Sequence, residues 1–287
     1  MPHSTATIAV AGATGTLGSP ITKALLAAGY RVKILTRGTA ANDKLTEFQS
    51  SGAIVVFDAF SGNNLVTALH GVDIVVSAVG SDFYSSQVPL IDAAKAAGVK
   101  RFVPSEFGMD NIKYTKLNDL HPILVDKGKI RDYIEKSGME HTYIFNGIFA
   151  EYLPAFGFDV KKKTATIHVP PTTRASMSLL ADVGRFTALA LASPRSRNAT
   201  LHVASYTGTM QEYVQLFEQA TGSKWKIVQD FDARERIAKS GDPSQMFADF
   251  VAYAHSRTEF DATDNAALGF QPTPINEIIN YVVQSQA

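Results

Sequence analysis

Cysteine is missing from all 287 residues, which excludes a disulfide framework, a thiolate nucleophile and cysteine-ligated zinc. Net charge is missing too, because 27 lysines and arginines balance 27 aspartates and glutamates. No global field therefore exists to hold nucleic acid or an anionic membrane. No apolar run approaches the ~18 residues of a membrane span. The apolar stretch Thr5 to Ala11 lacks a basic segment before it and enters a glycine loop, so it does not read as a signal peptide. Gly-x-Ser-x-Gly, Gly-x-x-x-x-Gly-Lys-Ser/Thr and His-x-x-x-His are all absent. Their absence argues against a serine-hydrolase elbow, a P-loop and a zinc hydrolase, and no metal site is expected.

What remains is a globular composition: 45% apolar and 19% charged, with 17 phenylalanines and 10 tyrosines. At ~150 residues per domain the length suggests two domains or one large one. The expectation is a soluble, cytoplasmic protein, monomer or homodimer, that meets a small molecule rather than nucleic acid or membrane.

The first hundred residues alternate short β-branched runs with helical segments. Strands are expected at Thr7 to Ala11, Arg31 to Thr36, Ala53 to Phe57, Ile74 to Val79 and Arg101 to Val103. Helices are expected at Pro20 to Ala28, Lys44 to Ser51, Asn64 to His70 and Val88 to Ala97, most of them stopped by glycine. Most of these strands are continuously apolar, as in a parallel sheet covered on both faces. Repeated βα units predict an α/β fold with a Rossmann-type doubly wound parallel sheet. After about Tyr152 the texture changes to prolines, aromatics and an alternating run at Thr164 to Val169, followed by mainly helical patterning. Ala181 to Leu191 reads as a helix and Ala199 to Ser205 as a strand. A closing helix is expected with Thr273 as N-cap and Pro274 at its first position. The expected domains are 1–152, a dinucleotide-binding unit that also takes the helix and strand within 180–205, and 153–287, a smaller, mainly helical substrate domain.

The first strand runs into Gly12-Ala13-Thr14-Gly15-Thr16-Leu17-Gly18 and a helix follows. Glycines at such a junction permit a tight turn, let backbone N–H groups approach a pyrophosphate and let the helix pack closely on its strand. An ordinary glycine-rich βα turn is the bland alternative. A site for NAD wants a carboxylate about 20 residues on, yet no Asp or Glu precedes Asp43. Arg37 stands at that place instead, and Lys44 follows. Two cations there suit a 2′-phosphate, a pair of solvated surface cations being the bland alternative, and NADP(H) is the expected cofactor.

No tyrosine has a lysine four residues on, which removes the Tyr-x-x-x-Lys pair of short-chain dehydrogenases. Lys127 lies in a helical segment, Leu124 to Ser137, on one face with Ile130, Arg131 and Ile134, while Lys129, Asp132 and Lys136 take the other face. Burial disfavours the charged form of an amine and makes it usable as an acid or base. The pattern alone leaves both a snorkelling lysine and a catalytic one open.

Gly12 to Gly18, the run Val99-Lys100-Arg101-Phe102-Val103-Pro104-Ser105-Glu106-Phe107-Gly108, the run Lys127-Gly128-Lys129-Ile130-Arg131 and the stretch Thr142 to Ala150 together resemble the NmrA-like branch of atypical short-chain dehydrogenases. Within it they resemble the isoflavone reductase-like proteins, which include pinoresinol–lariciresinol reductases, phenylcoumaran benzylic ether reductases and eugenol synthases. The likeness covers the first 150 residues well and the rest loosely. The segment between the Ser-Glu-Phe-Gly run and the lysine helix is shorter here than is usual in the family.

The resemblance implies NADPH-dependent reduction of a small aromatic, phenolic or conjugated carbonyl-type metabolite, with Lys127 as catalytic acid/base. It matches Arg37 and Lys44 to the 2′-phosphate and Ser105, Phe107 and Asn146 to the nicotinamide end. Ala78 and Arg131 complete the cofactor residues it implies. The same branch also holds a dinucleotide-sensing regulator without turnover and quinone reductases, which stand as alternatives. His121, just before the lysine helix, suits assistance to proton transfer, a surface place or a cap, the last two being the expectation. Glu106 is expected either to act electrostatically or to anchor a loop or helix. The aromatics Tyr152, Phe156, Phe158, Phe247, Phe250 and Tyr253 suit either a pocket for a planar substrate or a core.

Overall fold

The computed structural model describes residues 6–61, 64–80, 85–117 and 120–286. The chain opens with β1 (Thr7–Ala11), α1 (Gly18–Ala27), β2 (Arg31–Leu35), α2 (Asp43–Ser50), β3 (Ile54–Val56), α3 (Asn64–Leu69) and β4 (Ile74–Ser77). It continues with α4 (Gln87–Ala96), β5 (Arg101–Val103), α5 (Pro122–Ser137), β6 (Glu140–Phe145), β7 (Ile148–Phe149), β8 (Phe158–Asp159) and β9 (Thr164–Ile167). Next come β10 (Arg174–Ser178), α6 (Leu180–Ala192), β11 (Ala199–His202), β12 (Tyr206–Thr209) and α7 (Met210–Thr221). The chain closes with β13 (Lys226–Gln229), α8 (Ala233–Ser240), α9 (Met246–Ala254) and α10 (Ile275–Gln286). No helix among the described residues is long and apolar enough to cross a membrane.

Seven strands form one sheet in the order β11-β6-β5-β4-β1-β2-β3. The pairs β1–β2, β1–β4, β2–β3, β4–β5 and β5–β6 are parallel. This is the Rossmann-type sheet the sequence predicts. Its continuous apolar strands have a simple cause, since both faces are covered. On one face Ala9, Ala11, Val75 and Phe102 pack with Leu69 of α3, Leu90 and Ile91 of α4, and Ile130 and Ile134 of α5. On the other, α1 and α6 meet closely enough that a Cβ on Gly184 would fall 2.6 Å from the Pro20 carbonyl oxygen.

The chain divides into two compact units. The first comprises Met1–Glu106, Pro122–Ile144 and Val183–Leu201; the second comprises Phe107–His121, Phe145–Asp182 and His202–Ala287. The second unit carries two three-stranded sheets, β12-β10-β7 and β13-β9-β8, beside its helices. The alternating run at Thr164 becomes β9, paired antiparallel with β8 and parallel with β13. Phe156, Phe158 and Tyr253 are buried in this unit, Phe158 stacking on Phe217, whereas Tyr152 and Phe247 are exposed.

Element ends differ from expectation in two informative places. The fourth strand stops at Ser77, two residues early, and Ala78 to Gly80 become loop. The last helix starts at Ile275, one residue after the expected Pro274, and the Thr273 N–H and hydroxyl both donate to the Asp182 carboxylate, at 2.8 and 2.7 Å.

Candidate functional site

Strand register sets the site in the first unit. Ala11 at the end of β1 pairs with Leu35 on β2 and Ser77 on β4. The next residues, Gly12, Thr36 and Ala78, therefore stand side by side where the strand order reverses about β1. Ligands of open α/β sheets bind at such a reversal. A cleft of about 490 Å³ opens there, lined by Ala11 to Gly15, Ile34 to Gly38 and Ala78 to Gly80, with Asn42, Phe60, Ser86 and Leu90.

The glycines have a physical reason. Gly12 has φ +81°, and a Cβ on it would lie 2.5 Å from the Ala78 carbonyl oxygen. A Cβ on Gly18 would lie 2.0 Å from the Gly12 carbonyl oxygen, so only glycine lets α1 start this close to its strand. The turn closes through Gly15 N–H on the Gly12 carbonyl at 2.9 Å. Helix α1 has no side-chain cap at Leu17 and no acid in its first turn. Its positive end is thereby left without a built-in anion.

The cations expected at the 2′-phosphate stand on the same side. Arg37 is exposed and lines the cleft. Its loop is held by Gly38 N–H on Thr36 Oγ1 (3.0 Å) and by Asp58 N–H on the Gly38 carbonyl (3.0 Å). Lys44 reaches back from α2, its Nζ donating to the Thr14 carbonyl at 3.0 Å. Asn42 caps α2 by accepting from Leu45 N–H. Sequence reading passed over Asn42, although an Asn before Asp43 is a standard helix-start signal. Thr36, Phe60, Ser86 and Leu90 carried no such cue.

Ser105 braces the wall formed by the loop after β4. Its hydroxyl donates to the Val79 carbonyl at 2.7 Å, and its N–H donates to Oε1 of the buried Gln87 at 2.9 Å. One residue on, Glu106 is 1% exposed. Its carboxylate accepts from Arg131 Nη1 at 2.7 Å, and its carbonyl accepts from Lys127 Nζ. Lys127 is itself 5% exposed. The buried face of α5 is Leu124, Lys127, Ile130, Arg131 and Ile134, the stripe expected from the sequence. Glu106 is thus an anchor for the lysine helix.

Phe107 and Asn146 belong to the second unit, and both are buried. The N–H groups of Asn146 and Gly147 both donate to the Gly108 carbonyl, at 2.8 and 2.9 Å. Ser178 Oγ donates to the Asn146 carbonyl at 3.0 Å. Asn146 Oδ1 is buried without a hydrogen-bond partner.

His121, expected at the surface or as a cap, is buried. Its Nε2 lies 3.3 Å from Asp249 Oδ2, and its ring meets Phe250 edge-on and Tyr253 at a tilt. Burial pulls its pKa below the usual value, and Asp249 offsets that only in part. Removing an aromatic-walled imidazole from water costs more than one carboxylate returns. Among the described residues no group of three or more acidic or imidazole side chains could hold a metal ion.

Comparison with known proteins places this architecture. Phenylcoumaran benzylic ether reductase IRL1 of Ginkgo biloba is 30% identical over 304 residues, covering 96% of this chain and 98% of that protein. The isoflavone reductase of Pisum sativum is 32% identical, covering 87% and 86% of the two chains. A crystal structure of isoflavone reductase superposes with a TM-score of 0.83 at 27% identity, covering 98% of this chain and 100% of that one. The structure of AtPrR2 with NADP⁺ and (+)pinoresinol superposes with a TM-score of 0.84 at 26% identity, covering 97% and 99%. The model of the NmrA-like family matches residues 4–263, and the chain belongs to that family.

Proposed function

We propose that this protein is an NADPH-dependent reductase of a small aromatic, phenolic or conjugated carbonyl-type metabolite, with Lys127 as its general acid/base. The observation that carries the reading is Lys127, an amine on the apolar face of α5, almost wholly removed from water and held by a carbonyl. A lysine whose role was only to solvate a surface would extend its amine outward.

The residues of the cleft suit NADPH. The uncapped, acid-free end of α1 suits a pyrophosphate. Arg37, at the end of a strand with no carboxylate after it until Asp43, suits a 2′-phosphate. Apart from the cleft, in the second unit, Asn146 Oδ1 is buried without a partner and suits a donor group brought by a ligand. When bound, NADPH supplies the hydride. Lys127 Nζ exchanges a proton with a phenol or enol oxygen of the substrate, using a hydrogen that the Glu106 carbonyl does not hold. The named relatives are reductases of isoflavones and of benzylic ethers, and the pinoresinol complex points to the same aromatic class.

Calorimetric titration tests the cofactor half. Wild type should bind NADPH well ahead of NADH, and Arg37→Ala should weaken NADPH by about 10- to 100-fold with NADH little changed. Equal binding of NADPH and NADH by wild type would remove the role of Arg37. A screen of NADPH oxidation against phenolic and quinone-like acceptors tests the chemistry. Lys127→Ala should cost at least about 100-fold in turnover while NADPH binding stays within a few-fold. Turnover at the wild-type rate would instead favour a hydride-only quinone reductase.

A further inference from the structure

We propose that Glu106 is a positioning residue for Lys127, fixing both the place and the proton affinity of its amine; the inference rests on the acid/base reading of Lys127. Residue 106 meets one turn of α5 twice. Its main-chain carbonyl takes Lys127 Nζ, and its carboxylate takes Arg131 Nη1 at 2.7 Å. Lys127 and Arg131 are four residues apart, so they project from the same face of the helix. Both carry basic groups and both are buried. Two like charges in that arrangement repel, and the repulsion grows as water is removed. Glu106 is the only buried aspartate or glutamate among the described residues of the first unit. Its carboxylate satisfies Arg131, and the pair leaves the carbonyl of the same residue directed at Lys127.

The strand side holds Glu106 as firmly as the helix side does. Glu106 N–H donates to the Pro104 carbonyl at 2.8 Å, and the preceding Ser105 is pinned to Gln87 and Val79. The grip therefore ties the loop after β5 to the helix that carries Lys127. From β6, Tyr143 is the next titratable group to feel Arg131 and Glu106, and its hydroxyl donates to Glu135 Oε1 at 3.0 Å. Burial first, then Glu135, hold that phenol protonated across the working range, so it adds no charge to the group.

Two substitutions should act in opposite directions. Glu106→Gln keeps the shape and the main-chain carbonyl but removes the negative charge, which makes Lys127 release its proton at lower pH. Arg131→Met removes a positive neighbour, which makes Lys127 keep its proton to higher pH. Competitive labelling with acetic anhydride reads this without any substrate, with Lys127 followed by peptide mass spectrometry against the exposed Lys129. The Lys127 profile should move by about one pH unit downward in Glu106→Gln and upward in Arg131→Met. In turnover, Glu106→Gln should lower kcat by about 10- to 100-fold with KM for NADPH little changed, and Glu106→Asp should recover part of the loss.

A purely structural role would lower thermal stability in all the variants and move neither labelling profile. Unmoved profiles, or shifts in the same direction, beside an inactive Lys127→Ala overturn the grip and leave the acid/base reading standing. Full turnover in Lys127→Ala overturns both.

Discussion

At the scale of single residues, the site depends on side chains and on glycines whose reasons differ. Gly147 follows Asn146 with φ +68°, and a Cβ there would lie 2.0 Å from the Ser176 carbonyl oxygen. Gly147→Ala combines strain with a collision against backbone and should cost at least about 2 kcal/mol. Gly52 has φ +95° with nothing within 4 Å of its Cβ position, so Gly52→Ala should cost only about 1 kcal/mol. Urea denaturation of the two variants checks the difference; equal losses would mean that the clash at 147 is relieved by backbone movement. The sequence marked both positions only as glycine. Lys127 was more legible, because the periodicity of α5 already set it among isoleucines. The contact with the Glu106 carbonyl was not legible, because it joins residues 21 apart through a main-chain atom that every residue possesses.

At the scale of elements, local chemistry explains most starts and stops. Helix α5 begins at Pro122, two residues before the expected Leu124, because proline is at ease in a first turn where its missing N–H has no intrahelical partner. Helix α7 is opened by a capping box that sequence reading did not single out. Thr209 Oγ1 accepts from Glu212 N–H at 3.1 Å, while Glu212 Oε2 accepts from Thr209 N–H at 2.6 Å. Thr209→Ala should destabilise by about 1 kcal/mol, seen as a lower Tm with unchanged NADPH affinity. An unchanged Tm would mean that water replaces the cap. Strand β4 ends two residues before the expected Val79, whose carbonyl turns to Ser105 rather than continuing the ladder. Propensity alone reads Val79 as strand; a long-range hydrogen bond decides otherwise.

At the scale of the whole molecule, buried histidines set the response to acid. His255 is fully buried, accepting from His168 N–H at Nδ1 (3.2 Å) and facing the Phe156 carbonyl with Nε2 (3.2 Å). Burial, with His168 beside it, lowers its pKa from 6.5 to about 4. Burial also depresses His121 and His141. The unfolded chain therefore takes up protons on these rings before the folded chain does. Their contribution is complete above about pH 6.5 and is lost progressively as pH falls towards 4, by about 3 kcal/mol for His255. Melting temperature should drop between pH 7 and pH 4.5, and His255→Gln should show a smaller drop from a lower starting point. An equal drop in the variant would assign the acid sensitivity elsewhere.

The sequence by itself determined the sheet, the glycine loop and its cationic companion at the end of β2, and the face of α5 that carries Lys127. These are local facts, written in periodicity, spacing and the absence of a carboxylate before Asp43. Only the tertiary structure decided the rest. It set the register that brings Gly12, Thr36 and Ala78 level and the route by which residues 107–121 leave the first unit. It also decided the burial of His121 and the grip of Glu106 on Lys127 and Arg131. Each joins positions far apart in the chain, where the free energy depends on which groups lose water together, and residue type in one segment does not encode that.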